Sequence, residues 1–119
     1  MNKFAFWVAA ACAVAATPLM AQGQAPTTIP TRVTAKALTA VCGEDRSACL
    51  TYVLGVVDTF TTTLTLAQRP QAYCIPRGTS NDQVAATAVK HLRAHPQEAN
   101  TNAAIVVIAG LKEAYPCGY

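Results

Sequence analysis

The sequence predicts an all-α fold, a small bundle of about four helices closed by two intrachain disulfides. Apolar residues recur at steps of three and four along most of the chain after residue 34, which is the spacing of one face of a helix. Four cysteines follow an N-terminal segment that has the features of an export signal. An even number of cysteines in a short exported chain indicates a disulfide framework, here formed by Cys42, Cys49, Cys74 and Cys117.

The N-terminal 21 residues have the three parts of a bacterial signal peptide. Lys3 supplies the positive charge, residues 4–16 are apolar, and Ala21 is a small residue suited to cleavage. The 13 apolar residues fall short of the roughly 20 that a membrane-spanning helix needs, which favours cleavage over a retained anchor. Lipidation at Cys12 is a second alternative. Cleavage would release a periplasmic chain that begins at Gln22 and has no membrane attachment.

The exported chain is predicted to be one small domain, residues 34–119, behind a flexible N-terminus of residues 22–33 that is rich in Pro, Gln and Thr. Without Lys3 it has eight Lys or Arg residues and six Asp or Glu residues, a formal net charge of +2. The basic residues are scattered singly, which argues against a nucleic-acid partner. A domain of this size buries only about 60 to 65% of its unfolded surface, so the disulfides are expected to stabilise it.

Two helices are predicted in the first half of the domain. Thr34 is expected to cap a short helix that runs to Cys42, where Gly43 would take the left-handed conformation that ends many helices. Ser47 is expected to cap a longer helix that reaches about Gln68. The second half of this helix contains five threonines and also alternates at period two, so a strand is the alternative there. The phase of the apolar residues continues through this half and favours the helix.

Two further helices are predicted in the second half. Ser80 and Gln83 have the spacing of a capping box, which would open a helix that runs to about Ala94. Pro96 is expected to begin the last helix, over roughly residues 97–115. Because its central part is apolar on every side, this helix is predicted to be the most buried element.

Four cysteines permit three connectivities, and the sequence alone does not choose among them. If short loops make the last three helices antiparallel neighbours, Cys74 and Cys117 flank one end of the bundle and Cys42 and Cys49 lie at the opposite end. This topology favours the pairs Cys74–Cys117 and Cys42–Cys49. A single helix would hold the second pair about 10 Å apart, so a break at Gly43 would be needed for them to bond.

His91 and His95 are spaced i, i+4 and would share one face of a helix, a geometry that zinc sites use. The chain has two histidines, so a third ligand would have to be a carboxylate. Arg93 beside them and the absence of an HExxH motif favour instead a surface histidine and a helix-ending His-Pro pair. Ser47 and Ser80 are explained as helix caps and the thiols as disulfides, and no CxxC motif occurs. We therefore expect no enzyme activity, no metal and no cofactor.

Polar residues crowd two loops, and loops held by disulfide-linked helices are common protein-binding sites. Ordinary solvated loops are the alternative. The first candidate set surrounds the His-Pro turn and comprises His95, Gln97, Glu98, Asn100 and Asn102. The second set precedes the third helix and comprises Arg69, Gln71, Tyr73 and Arg77.

A series of spaced residues runs through the domain from about residue 42 to residue 117. Its motifs are Cys49-x-x-Tyr52-x-x-Gly55-x-x-Asp58, Tyr73-Cys74-Ile75-Pro76, Gln83, Leu92, His95-Pro96 and Ala114-Tyr115-Pro116-Cys117. In their order and spacing, and with the preceding export signal, these motifs resemble the Rap/Tai immunity-protein family of type VI secretion.

The resemblance implies a small all-helical periplasmic protein, often a homodimer, that binds a cell-wall-degrading amidase effector and blocks its active site. Tyr52, Gly55, Asp58, Pro76 and Pro116 would then belong to the structural framework, and Gly55 would permit close approach of a backbone. The effector-contacting residues are the variable part of the family, so the resemblance does not identify them.

The leading hypothesis is a stoichiometric inhibitor whose polar loops plug the cleft of a peptidoglycan amidase. The loop from His95 to Asn102 is the first expected contact, and the loop from Arg69 to Arg77 is the second. A periplasmic stress or chaperone-like binding protein is the alternative function.

Overall fold

The computed structural model describes residues 32–118. The predicted signal peptide, residues 1–21, and most of the predicted flexible segment, residues 22–33, lie outside the described residues. The predicted all-α fold is confirmed: within residues 32–118 the only strand-like pairing is an isolated bridge between Thr34 and Asn102. The helices are α1 (Ala35–Glu44), α2 (Arg46–Leu66), α3 (Asn81–Ala94) and α4 (Ala103–Ala114), with a turn of 3₁₀ helix at Pro96–Glu98.

A single residue, Asp45, separates α1 from α2. Thr34 caps α1 as predicted, but the helix continues past Gly43 to Glu44, so the prediction of a left-handed stop at this glycine was wrong. Asp45 has an extended backbone, and its carboxylate accepts a hydrogen bond of 2.9 Å from the Ala48 amide. Asp45, and not Ser47, is therefore the N-cap of α2.

The threonine-rich half of α2 is helical, as favoured from the sequence. The hydroxyls of Thr63 and Thr65 donate to carbonyls one turn earlier, at 2.7 and 2.9 Å, which satisfies them without a strand partner. The helix ends two residues before the predicted Gln68. There Gln68 takes a positive φ of 53°, and the amides of Gln68 and Arg69 donate back to the last turn. This is a Schellman motif with a residue other than glycine in its left-handed position.

The α3 prediction is confirmed, including its capping box. The Ser80 hydroxyl accepts from the Gln83 amide while the Gln83 side chain accepts from the Ser80 amide. The last helix begins later than predicted, because Pro96 starts a 3₁₀ turn and Asn102 caps α4 by accepting from the Ala104 amide at 2.9 Å. The predicted single helix is therefore a 3₁₀ turn that begins at Pro96 and a separate α-helix that Asn102 caps.

The core lies between α3, α4 and the buried faces of α1 and α2. Helix α4 buries five of its twelve residues, among them Val107 and Leu111 at 0% exposure. It is not buried on every side, however, since Ile105 is 60% exposed. The described buried apolar residues are Ala35, Leu38, Cys49, Val53, Tyr73, Val84, Ala85, Ala88, Leu92, Ala103, Val106, Val107 and Leu111.

Helix α2 is the longest of the described elements and is mostly on the surface. Only Cys49 and Val53 of its 21 residues are buried. By length and composition alone it is also the one helix within residues 32–118 that is long and apolar enough to cross a membrane. The folded domain therefore leaves one apolar side of α2 exposed, and packing within residues 32–118 does not explain it.

Both predicted disulfides are confirmed, Cys42–Cys49 and Cys74–Cys117, with Cα–Cα distances of 4.7 and 4.9 Å. One premise of that prediction was wrong. An ion pair of 2.8 Å between Arg46 and Asp82 places the first turns of α2 and α3 side by side, so these two helices start at the same end of the molecule. The extended segment between them runs back along the bundle.

Candidate partner-binding site

The segment from His95 to Asn102, the first predicted contact, is fixed by backbone hydrogen bonds to the start of α1. The amides of Ala35 and Lys36 donate to the carbonyls of Thr101 and Ala99, both at 2.9 Å, and Ala103 donates to Val33 at 2.9 Å. These bonds satisfy amides of the first turns of α1 and α4, which have no partner within their own helices. The segment is therefore held in one conformation although it lies at the surface.

The side chains of this segment differ in how much surface they offer. Gln97 and Asn100 are exposed, whereas His95, Glu98 and Asn102 are half-buried. The Asn102 side chain is also engaged as the cap of α4. We therefore take Gln97 and Asn100 as the centre of this surface.

The second predicted segment, residues 69–77, is fixed by the Cys74–Cys117 disulfide and by a hydrogen bond of 2.8 Å from the Cys74 amide to the Tyr115 carbonyl. The side-chain amide of Gln71 donates to Thr65 at 3.2 Å. Arg69 and Arg77 are exposed. Two cations on a pinned backbone form a surface suited to an acidic partner.

Tyr73 does not belong to either surface, because the structure places it in the core at 6% exposure. Its ring stacks on Phe60 with a centroid distance of 6.1 Å. Its hydroxyl lies 3.5 Å from both the Val57 carbonyl and the Thr61 hydroxyl. A ring buried in this way offers little to a partner, so we omit Tyr73 from the contact set.

Sequence reasoning missed a third surface, an apolar groove of about 490 Å³ between α2 and α4. Burial raises the pKa of the Tyr52 phenol in this groove above its usual value, since desolvation disfavours the charged form. The groove is lined by Thr51, Tyr52, Gly55, Val56, Thr59, Phe60, Thr63, Ala104 and Ile108. A second stripe at steps of three and four, Tyr52, Val56 and Thr59, was the sequence signal for it.

The residues assigned to a structural framework have unequal surroundings. Tyr52 packs against the core. A Cβ added at Gly55 would meet no described atom within 4 Å, so no close backbone approach occurs there within residues 32–118. Asp58 is exposed, and its carboxylate forms no hydrogen bond or ion pair with any described residue. Pro76 and Pro116 are both exposed. Pro116 adjoins Cys117, and one residue separates Pro76 from Cys74, so both prolines lie close in sequence to the disulfide that fixes the second segment.

Within residues 32–118, one cluster could hold a metal ion. His91 on α3 and His95, the residue that caps the end of α3, meet Glu113 on α4. One possible ligand atom from each lies within 4.8 Å of the others. The sequence did not identify Glu113 as the third, carboxylate ligand, because its distance from the two histidines depends on how α3 and α4 pack.

A helical domain with fixed polar segments and an apolar groove has surfaces suited to binding another protein. The family model of Rap1a immunity proteins matches residues 34–117, and the chain belongs to this family. The suspected resemblance is thereby confirmed. No curated protein and no solved structure matches the chain significantly. Membership indicates a type VI effector immunity protein, in a family that is generally non-enzymatic and acts by binding a secreted effector.

Proposed function

We propose that this protein is a periplasmic immunity protein that binds and inhibits a type VI peptidoglycan amidase effector by occluding its active site. The observation that carries the proposal is the family match, which covers the whole disulfide-linked helical domain from the cap of α1 to Cys117. The two disulfides are consistent with an oxidising compartment such as the periplasm. A cleaved signal peptide at residues 1–21 would bring the protein there.

Occlusion needs a rigid surface and no chemistry. The segment around Gln97 and Asn100 supplies such a surface, because its backbone is already fixed by the bonds to Ala35 and Lys36. Little conformational entropy is then lost on binding, which favours affinity. Residues 69–77, with Arg69 and Arg77, provide the second contact.

Inhibition can be tested with the oxidised chain from Gln22 to Tyr119 used as bait on secreted and periplasmic fractions of the producing strain. We expect one stoichiometric partner with the sequence of a cell-wall amidase. Hydrolysis of peptidoglycan by that partner should stop at a one-to-one ratio. A broad set of unrelated captured proteins, with suppression of their aggregation, would replace this proposal with the chaperone-like alternative.

The contact surface can be tested by alanine substitution at Gln97, Glu98 and Asn100 together. We expect the Kd for the amidase to rise at least tenfold, as for loss of a central interface patch. Alanine at Glu44 and Ser47, exposed polar residues at the junction of α1 and α2, is the matched control and should leave the Kd unchanged. If the two variants bind the amidase with equal affinity, the contact surface lies outside this segment.

The proposal includes a homodimer formed through the α2–α4 groove. A helix of 21 residues with only two buried leaves a large apolar surface uncovered in one copy. Ile105, 60% exposed on α4, adds to the apolar surface of these two helices. The same patch on two copies can pair about a twofold axis, which is the commonest arrangement of homodimers.

A further inference from the structure

The cluster of His91, His95 and Glu113 lies where the last turn of α3 meets the end of α4. The Nδ1 atom of His91 is 2.9 Å from Oε2 of Glu113. The rings of His91 and His95 stack with a centroid distance of 3.9 Å. Both histidines are half-buried, while the Glu113 side chain is 71% exposed, so the cluster can be reached from solvent.

Gly110 is what allows the two helices to approach this closely. A Cβ at this position would lie 2.5 Å from the Cβ of His91, a distance that no side chain can occupy. With glycine there, the His91 side chain lies directly against the backbone of α4. Glu113 follows three residues later on the same face of the helix and so reaches the imidazole.

A backbone hydrogen bond orients the His95 ring and favours the tautomer in which Nε2 can bind a metal. Its Nδ1 atom lies 2.9 Å from the backbone carbonyl of His91. A carbonyl oxygen only accepts, so Nδ1 carries the hydrogen, and in the neutral ring Nε2 has a free lone pair. In known metal sites, a hydrogen bond from the other ring nitrogen to a carbonyl orients histidine ligands in the same way.

We propose that His91, His95 and Glu113 bind one divalent transition-metal ion of the Zn²⁺ class. Two imidazoles and one carboxylate are a ligand set that Zn²⁺ uses, with bonds of roughly 2.0 to 2.2 Å and a fourth position left open. The hydrogen between Nδ1 of His91 and Glu113 moves to Nε2 of the same ring when the ring is neutral, or to solvent when it is charged, and the ion takes its place. Rotation of the side chains brings Nε2 of His95 to the ion as the third ligand. Ni²⁺ and Cu²⁺ suit the same donors.

The adjoining cleft, of about 260 Å³, provides access for a hydrated ion. It is lined by residues of both helices, including Thr87, Lys90 and Ala114. Lys90 is the cation within this lining and opposes a second positive charge. The site goes beyond the proposed inhibition, and it is tested on the free protein without any effector.

The experiment is a calorimetric titration of ZnCl₂ into the untagged, oxidised chain from Gln22 to Tyr119. We expect saturable binding of one ion per chain. His95→Gln and Glu113→Gln should each weaken it at least tenfold, and Lys90→Ala should strengthen it. Asp58→Asn, which removes an exposed carboxylate from α2, is the matched control and should have no effect.

A second measurement separates a built site from a surface histidine. The chain has two histidines, so its ¹H–¹⁵N imidazole spectrum is simple to assign. Both rings should shift together and stop shifting at one equivalent of Zn²⁺. Absence of saturable binding, a response from one ring only, or equal losses in Glu113→Gln and Asp58→Asn would each overturn the proposal.

Discussion

Helices α2 and α4 are both rich in apolar residues, yet they have opposite roles in the domain. Helix α4 buries five of its twelve residues, whereas α2 buries two of 21. The difference shows that apolar composition does not determine burial, since a helix is buried only where neighbours cover it. Helix α4 is covered by α3 and forms the core, while the outer side of α2 remains available for association.

The two helices also use glycine differently. Gly110 of α4 has the His91 side chain where its own would be, so it is required by packing inside the chain. Gly55 of α2 has open space at the same position. The internal packing explains the first glycine and gives no reason for the second.

The largest expected effect concerns the disulfides that hold these helices. Loop-entropy estimates give about 4 kcal/mol for Cys74–Cys117, which closes a separation of 43 residues at the end of α4. They give about 2.5 kcal/mol for Cys42–Cys49, which closes a separation of seven residues at the start of α2. Urea unfolding of the two double Cys→Ser variants should rank them in this order. The reverse order would show that the start of α2 is the more important constraint.

The next effect compares one leucine from each helix. Leu111→Ala removes a side chain that is fully buried in α4, and we expect the free energy of unfolding to fall by about 3 kcal/mol. Leu66→Ala, at the 80% exposed end of α2, should change it by no more than about 0.5 kcal/mol. Urea titrations with both disulfides intact measure the two values. Comparable losses would mean that the end of α2 is covered in solution.

Much of this fold followed from local signals. The capping box at Ser80, the cap at Thr34 and the phase of apolar residues through the threonine run each depend on residues within one helix, and each predicted the observed helix. The junction at Asp45 did not follow, because one residue ends α1 and also caps α2. The start of α4 was missed because Pro96 and Asn102 are both good N-terminal residues for a helix, and only the tertiary structure assigns them to different turns.

The candidate sites were harder to predict than the helices. The two predicted polar segments lie at the surface, but the burial of Tyr73 depends on tertiary contacts with Phe60 and Val57 of α2. The meeting of His91 with Glu113 depends on the close packing at Gly110, which no sequence pattern indicated. The disulfide pairs were predicted correctly although the assumed direction of α2 relative to α3 was wrong.

A glycine pair tests whether α2 is an association surface. Gly55→Ala and Gly43→Ala both place a methyl group in open space within a helix, so each should stabilise the fold by up to about 1 kcal/mol. If the groove seats a second copy, only Gly55→Ala should weaken the dimer, measured by light scattering over a concentration series. If a dimer is present and the two variants have the same dimer affinity, the dimer interface lies outside the groove.

The smallest effect is expected at the end of α2, where Gln68 occupies the left-handed position of the Schellman motif. Gln68→Gly removes the steric cost of a side chain at a φ of 53°, which is roughly 1 to 2 kcal/mol, but it also adds freedom to the unfolded chain. The two terms nearly cancel, so we expect a net stabilisation of only a few tenths of a kcal/mol in urea titrations. Gln71→Gly, at a half-buried position where no positive φ occurs, is the control and should destabilise the protein. A gain well above 1 kcal/mol at Gln68 would show that the end of α2 is more tightly coupled to the core than its exposure indicates.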